Sequence, residues 1–242
     1  MNPTHPDIFH ATSTIDDGNM SCTYGGEDEV VANRKKFLTK WGLGLEDCVM
    51  MDLNHGVSVS VIEESDKGKA MDSCGIDGIQ SDSFITSTPG VYLFLLTADC
   101  LPLTLYDPGK KVLALVHLSR MTTGGKLVQK TIEVMRNKWE VDAGDILVWG
   151  DPSISKSSYK LDFFTEGVDV WGDFVVKMPD GKVSVDVIGF NRKQLLDMGV
   201  KENNIDISDI DTFKSSTYFS HYRSSRTGER EGRFVTVAGI KT

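Results

Sequence analysis

The sequence predicts a mixed α/β fold in which packed mixed β-sheets are flanked by helices, and three observations lead to this expectation. Short apolar runs separated by turn residues recur along the whole chain, as in strands. Segments with apolar residues at helical spacing are interspersed with these runs rather than grouped at one end. The 242 residues contain no Pro- or Ser-rich linker, so we expect a single domain over residues 1–242.

The first part of the chain is predicted to form a surface helix followed by strands. In residues 28–42, Val31, Leu38 and Trp41 fall on one helical stripe, with Asp28 as the N-cap and Gly42 as the terminator. The polar stretch 63–82 is predicted to be a loop. Alternating or continuous apolar residues predict strands at 57–62, 84–86, 91–96 and 112–117.

A turn at residues 107–110 is predicted to join two apolar strands into a buried hairpin. Cys100 lies in the segment 97–102, which directly follows the run 91–96, so we expect it on the hairpin partner of the strand that ends in His117.

The second part of the chain is predicted to begin with a helix after Gly124-Gly125, because apolar residues recur there at i, i+4, i+7 and i+11. That stripe is most simply a core-facing side of the helix. A short helix is expected at 191–198, closed by Gly199. Further strands are predicted at 146–149, 183–188 and 234–240.

Charge and hydropathy disfavour two classes of protein, those that bind nucleic acid and those that span a membrane. The formal net charge of −9 disfavours binding to nucleic acid. No apolar run approaches the roughly 20 residues of a membrane-spanning helix, and the first residues do not form an export signal. Four cysteines are few for this length, so we expect a cytoplasmic protein with reduced thiols rather than a disulfide framework.

Histidine and cysteine placement suggests a metal site. His55 lies between Asn54 and Gly56 just before a predicted strand, and His117 ends an apolar strand. With Cys100, they could supply three nitrogen and sulfur ligands and leave a fourth zinc position open. Two alternatives remain at this point: these residues are ordinary core side chains, or Cys100 is a nucleophile activated by one of the histidines without metal.

Copper chemistry with several metal ions is disfavoured, because such sites draw heavily on histidine, commonly as His-x-His pairs. The chain has five histidines and no His-x-His.

Several motifs resemble the laccase-domain family, also called the YfiH-like family, the polyphenol oxidase family or peptidoglycan editing factors. The strongest is Thr97-Ala98-Asp99-Cys100-Leu101-Pro102-Leu103, with Tyr106-Asp107-Pro108 and a strand into Val116-His117. In family order, the others are Asn33-Arg34, Asn54-His55-Gly56, Asp151-Pro152-Ser153-Ile154 with Tyr159, and Tyr218-Phe219-Ser220-His221-Tyr222-Arg223.

The resemblance implies packed mixed sheets with outer helices and a zinc site at His55, Cys100 and His117. It further implies phosphorolysis of adenosine, inosine or methylthioadenosine, with adenosine deamination as a related activity. Phenol oxidation with copper in place of zinc is a further alternative that the resemblance implies. The small-molecule partners would be a nucleoside and phosphate, bound by a monomer or small homo-oligomer. We expect Cys100 and His117 to take part in the chemistry, Asp99 to orient a ligand histidine, and Asn54 to contribute to substrate binding.

Two family arginines are replaced. The family's usual His-Ala-Gly-Trp-Arg-Gly reads His117-Leu118-Ser119-Arg120-Met121-Thr122, and its early Ser-Thr-Arg is matched by Ser13-Thr14-Ile15. Arg120 or Arg223 could hold phosphate instead, although Arg120 would point to the opposite face of an extended segment. The alternative is a metal-retaining, catalytically weakened protein that binds nucleosides or cell-wall fragments.

Overall fold

The structure is a computed structural model that describes residues 5–75, 78–165 and 167–242. Its strands are β1 (Ile8–Thr12), β2 (Cys48–Asp52), β3 (Val59–Val61), β4 (Ile79–Gln80), β5 (Ser83–Thr86), β6 (Tyr92–Thr97), β7 (Leu101–Asp107), β8 (Val112–Leu118), β9 (Leu147–Gly150), β10 (Lys160–Leu161), β11 (Val175–Lys177), β12 (Val183–Val185), β13 (Ile205–Ile207) and β14 (Phe234–Ile240). Its helices are α1 (Glu27–Thr39), α2 (Arg120–Gly124), α3 (Leu127–Trp139), α4 (Val168–Trp171), α5 (Val187–Asp197) and α6 (His221–Thr227).

The strands form three mixed or antiparallel sheets, which confirms the predicted mixed α/β class. One sheet has the order β1-β14-β6-β2-β4, a second β13-β9-β7-β8-β5-β3, and a small third sheet β10-β12-β11. Apolar side chains of the two large sheets share one core, and α1 packs on the far face of the five-stranded sheet. Helices α3 and α5 cover the far face of the six-stranded sheet.

Strand β8 shows how the sheet positions His117. Leu113 and Leu115 belong to the core shared by the two large sheets, whereas Ala114 and Val116 belong to the core under α3. Because successive side chains of a strand point to opposite faces, His117 has the same facing as Leu113 and Leu115. The imidazole therefore lies on the inter-sheet side, at the end of a completely buried strand.

The predicted hairpin exists, but with a different partner strand. β8 pairs with β7, in a register that places Pro102 opposite His117. The apolar run 91–96 corresponds to β6, which pairs with β14 and β2 in the other large sheet. Cys100 therefore lies in the short connection between β6 and β7, which belong to different sheets, rather than on a continuation of β6. β7 was missed because Pro102 and several polar residues interrupt its apolar pattern.

The helical predictions are largely confirmed, with shifted ends. α3 contains the predicted stripe, and α5 contains the helix predicted at 191–198. α5 begins earlier, at Val187, so the strand predicted at 183–188 ends at Val185. Asp186 causes this early start, because its carboxylate accepts a hydrogen bond from the Gly189 amide and caps the helix. α1 begins at Glu27 after Gly26, so Asp28 is not its N-cap.

Two cysteines are paired, which corrects the expectation of four reduced thiols. Cys22 and Cys74 form a disulfide, while Cys48 and Cys100 are free. Because the two cysteines are 52 residues apart in the sequence, no local pattern predicts that they meet in the fold. In the described ranges, no helix is both long and apolar enough to cross a membrane.

Candidate active site

His117 is the centre of the candidate site. Its side chain is buried, and its Nδ1 lies 2.9 Å from Oδ1 of Asp82. It also forms a hydrogen bond with Cys100, and its ring meets that of His55 edge to face, with 5.0 Å between the centroids. The structure thus brings together the three residues predicted as metal ligands.

Asp82 is a residue that the sequence interpretation missed. It precedes β5, next to β8, and its carboxylate accepts hydrogen bonds from the backbone amides of His55 (3.1 Å) and Gly56 (2.8 Å) as well as contacting His117. One carboxylate therefore holds both histidines. Its position in a polar stretch assigned to a loop concealed this role, because no local pattern marks a carboxylate whose partners are distant in sequence.

The electrostatics of this group favour charge separation. Burial opposes protonation of His117, but the Cys100 side chain and the Asp82 carboxylate outweigh that effect and raise the pKa of His117 to about 9. For Asp82, burial acts in the opposite direction, yet its hydrogen bond and charge interaction with His117 lower its pKa. Asp82 is therefore ionised at neutral pH.

His55 occupies a constrained turn at the edge of this group. Its backbone is left-handed (φ 58°), a conformation that costs a non-glycine residue roughly 1–2 kcal/mol. The hydrogen bonds to Asp82 stabilise it, and the Asn54 side chain closes the turn by accepting from the Gly56 amide. Asn54 is exposed and organises this loop, so its observed contacts favour a structural role over the predicted substrate contact. Lost hydration and the charges of His117 and Arg233 lower the pKa of His55.

Two cavities border the group. The first, here called the Cys100 cavity, has a volume of about 380 Å³. Its chemically important lining residues are Cys100, Arg120, Tyr159, His221, Tyr222 and Arg226. The second, the His55 cavity, has a volume of about 400 Å³ and is lined by His55, Tyr24, Arg233 and the Cys22–Cys74 disulfide, among others.

The Cys100 cavity combines cationic and aromatic walls. Arg120 is the first residue of α2, where its guanidinium lies 3.5 Å from the Tyr159 hydroxyl and 6.0 Å from the Phe164 ring centroid. Because residues 120–124 are helical, the expectation that Arg120 points away, which assumed an extended segment, is wrong. Arg226 stacks on Tyr222 at 3.3 Å from the ring centroid. Such walls suit an anionic group and a planar ring.

Arg223, the other predicted phosphate ligand, is used elsewhere. Its guanidinium donates to the carbonyls of Thr212, Phe213, Ser215 and Tyr218, and its Nε lies 2.5 Å from Glu229. These contacts hold the segment before α6 in place. Arg226, three residues later, lines the Cys100 cavity instead. Helical spacing alone does not separate the two arginines, because residues three apart share a helix face; the carbonyl contacts of Arg223 do.

Asp99 does not orient a ligand histidine, which corrects the predicted role. Its carboxylate accepts hydrogen bonds from the Thr212 hydroxyl (2.6 Å) and from the Tyr222 amide (2.7 Å). Asp99, which precedes Cys100, therefore holds the beginning of α6 close to Cys100, whereas Asp82 contacts the histidines.

The residues at the two replaced arginine positions supply no charge to the site. Ile15 packs against the cluster of Ala98, Phe219 and Phe234, and Met121 is half exposed on α2. The positive charge of the Cys100 cavity comes from Arg120 and Arg226.

The types of donor atom in this group suit a metal ion, but their placement does not form a metal site. Two imidazoles and a thiol form a donor set that suits zinc, and the carboxylate behind His117 is the usual outer partner of a ligating histidine. In the described part of the chain, however, no group of three or more His, Cys, Asp or Glu side chains is placed so that it could hold a metal ion.

These features define a stacked-sheet protein in which a buried His–Asp pair and a partly exposed cysteine lie beside a cationic, aromatic cavity. The chain belongs to the family described as multi-copper polyphenol oxidoreductase laccase, whose family model matches residues 10–241. This confirms the resemblance seen in the sequence.

Individual relatives agree with this assignment. The chain is 26% identical over 219 residues to the purine nucleoside phosphorylase YlmD of Bacillus subtilis, covering 88% of this chain and 78% of the relative. It is 28% identical over 227 residues to adenosine deaminase RL5 of an unknown prokaryotic organism, covering 89% and 84%. The crystal structure of YlmD from Geobacillus stearothermophilus has the same fold, with a TM-score of 0.91, 23% identity and coverage of 99% and 94%. The named relatives support an enzyme of a nucleoside-processing family.

Proposed function

We propose that this protein is a zinc-dependent purine nucleoside enzyme that cleaves adenosine, inosine or methylthioadenosine with phosphate, and that adenosine deamination is a secondary activity. The observation that carries the proposal is the Cys100 cavity, where two arginines and two tyrosines lie beside the Cys100–His117–Asp82 group. The names of the YlmD and RL5 relatives support the substrate class.

The cavity offers separate features for the two substrates. The guanidinium groups of Arg120 and Arg226 can bind phosphate oxygens through paired N–H donors. The aromatic wall of Tyr159 and Tyr222, whose ring centroids are 5.6 Å apart, can pack against a purine. Binding both substrates in one cavity would place the phosphate and the glycosidic carbon in reach of each other.

Zinc would be held by His55, Cys100 and His117, and when bound it would supply a Lewis acid that activates or positions a nucleophile. Asp82 would fix the protonated nitrogen of His117 and hold the His55 backbone. Copper in the same donor set is the alternative metal.

The test combines elemental analysis with a nucleoside panel. Purified protein, loaded with zinc or with copper, is incubated with each of the three nucleosides in the presence and absence of phosphate. We expect zinc to co-purify and the base to be released only with phosphate. Absence of base release at any metal loading would rule out phosphorolysis; nucleoside binding without turnover in calorimetry would identify the weakened binding protein that Ile15 and Met121 suggest.

A second candidate function, metal-free thiol chemistry, is favoured by one observation. Cys100 is hydrogen-bonded to His117, which is bonded in turn to Asp82, the order of a nucleophile, a base and an orienting carboxylate. This candidate predicts full activity in a chelator and inactivation by alkylation of Cys100. Activity lost in chelator and restored by zinc would eliminate it.

A further inference from the structure

His221 faces the Cys100 cavity from the first turn of α6. The Asp99 carboxylate holds the neighbouring Tyr222 amide, and the Ser220 hydroxyl accepts from the Arg223 amide, so the beginning of this helix is fixed next to Cys100. The position of the imidazole in the cavity wall is therefore determined by the fold rather than by a free loop.

Behind His221 lies a carboxylate that is itself held in place. Oε1 of Glu231 is 2.5 Å from Nδ1 of His221 and 3.2 Å from Nη1 of Arg233, and the Tyr24 hydroxyl is a third hydrogen-bond partner. Burial acts to raise the pKa of Glu231, but these hydrogen bonds and the charge of His221 lower it. An ionised Glu231 keeps the proton on Nδ1, so Nε2 is the nitrogen that can exchange a proton.

The other histidines are placed differently. His117 is bonded to both Asp82 and Cys100, and His55 lines the other cavity. His10 is buried in a pair with Asp151, 3.0 Å from its carboxylate, and His5 packs against Tyr106. Of the five histidines, all within the described ranges, His221 is the one that lines the Cys100 cavity.

Cleavage of a purine nucleoside needs a proton at the leaving base. When the bond between C1′ and N9 breaks, its electron pair moves onto the purine, and protonation of a ring nitrogen such as N7 makes the base a better leaving group. We propose that His221 donates this proton from Nε2 and that Glu231 is its positioning residue. This inference rests on the proposed nucleoside phosphorolysis and assigns one of its steps.

The step balances without any further reactant. A phosphate oxygen forms a bond to C1′ as the C1′–N9 bond breaks, and the Nε2 proton of His221 moves to the purine. The proton of hydrogen phosphate then restores His221, so the products are ribose 1-phosphate and the neutral base. Glu231 keeps its charge throughout and stabilises the protonated imidazole.

A leaving group that needs no proton provides the test. 7-Methylinosine carries a positive charge on its imidazole ring, so its base departs as a neutral species without protonation, whereas inosine requires the proton. We expect His221→Gln to lower kcat on inosine by about 100-fold with little change in KM, and to leave kcat on 7-methylinosine nearly unchanged. Glu231→Gln should show the same selectivity with a smaller loss, and His5→Gln should match the wild type on both.

The outcomes separate the two claims. Equal losses on inosine and 7-methylinosine, or a loss confined to KM, would overturn the role of His221 while the wild-type turnover still supports phosphorolysis. No release from either nucleoside by the zinc-loaded wild type would overturn the proposed function and this step with it. Circular dichroism of the variants verifies that each is folded.

Discussion

The Cys100 cavity and the His55 cavity each take one wall residue from the His117 group, Cys100 and His55 respectively, but they are built from different kinds of contact. The His55 cavity is enclosed by a disulfide and by the buried Arg34, whose guanidinium donates to the carbonyls of Met20, Ala70 and Met71. The Cys100 cavity is enclosed by side chains that project from the beginnings of α2 and α6 and from the segment before β10. The wall of the His55 cavity is thus fixed by main-chain hydrogen bonds and a disulfide. The wall of the Cys100 cavity consists of cationic, aromatic and imidazole side chains.

This difference suggests that the two cavities have different roles. Backbone-held walls fix a geometry, whereas cationic, aromatic and imidazole side chains can bind and transform a ligand. We therefore expect changes around the Cys100 cavity to affect turnover and changes around the His55 cavity to affect metal retention and stability. His117, whose side chain interacts with both Cys100 and His55, should affect all three.

The largest effect is expected for His117→Ala. It removes a proposed zinc ligand and leaves the Asp82 carboxylate without its imidazole partner. Because losing even an outer partner of a ligand typically costs 10- to 100-fold, we expect zinc-dependent kcat/KM to fall by more than about 100-fold. Elemental analysis and nucleoside turnover measure the effect, with His5→Ala as the control. Full zinc content with unchanged turnover would contradict the role of His117.

Asp82→Asn is expected to weaken zinc affinity by about 10- to 100-fold, because the amide cannot reproduce the charge that faces His117 and the two backbone amides. Competition with a chromophoric chelator measures the affinity. Asp107→Asn is a matched control, since Asp107 is also a buried carboxylate that accepts from backbone amides, at Gly109 and Lys110. Equal weakening in both variants would mean that the effect is general destabilisation.

Three arginines offer a graded comparison within the Cys100 region. Arg226→Gln and Arg120→Gln should each raise the KM for phosphate by about 10-fold, the value of one charge-assisted contact. Arg223→Gln should leave that KM unchanged and instead lower the free energy of unfolding by about 2 kcal/mol, because its carbonyl contacts are lost. A phosphate KM that responds to Arg223→Gln and not to Arg226→Gln would reverse the assignment made from the structure.

Removing the disulfide tests the wall of the His55 cavity. For a closed segment of 52 residues, the Cys22→Ser/Cys74→Ser variant should lose up to about 4 kcal/mol of unfolding free energy, with little effect on turnover. Urea denaturation of the variant, and of the wild type with and without a dithiol reductant, measures this. A stable variant with impaired turnover would place the disulfide in the catalytic function instead.

The smallest effect concerns pH and Asp211, which supports the segment leading to Tyr159. Burial acts to raise its pKa, but hydrogen bonds from Ser155, Ser158 and the Phe213 amide lower it from 3.8. A carboxyl whose pKa is depressed by folding stabilises the protein above the unfolded value, and this contribution is lost as the pH falls through the folded value. We expect Asp211→Asn to cost about 1 kcal/mol at pH 7 and less near pH 3. An equal cost at both pH values in urea titrations would argue against the ionised form.

Local pattern was sufficient for much of the fold. The stripe in α3 and the continuous apolar run in β8 are strong signals, because the first marks the buried face of a helix and the second a strand buried on both faces. Short strands such as β4 and β10, and the Pro-containing β7, lack such a pattern and were missed. For the site, the family resemblance predicted the grouping of His55, Cys100 and His117, whose ring contact and hydrogen bond the structure shows.

The sequence by itself determined the fold class and the main core elements, because residue type and spacing report burial. The grouping of His55, Cys100 and His117 followed from the family resemblance of its motifs. The tertiary structure alone decided that Asp82 rather than Asp99 holds the histidines, and that Arg226 rather than Arg223 faces the cavity. It also paired Cys22 with Cys74 and His221 with Glu231. These choices depend on which groups meet between segments that are distant in sequence, and no local pattern encodes such meetings.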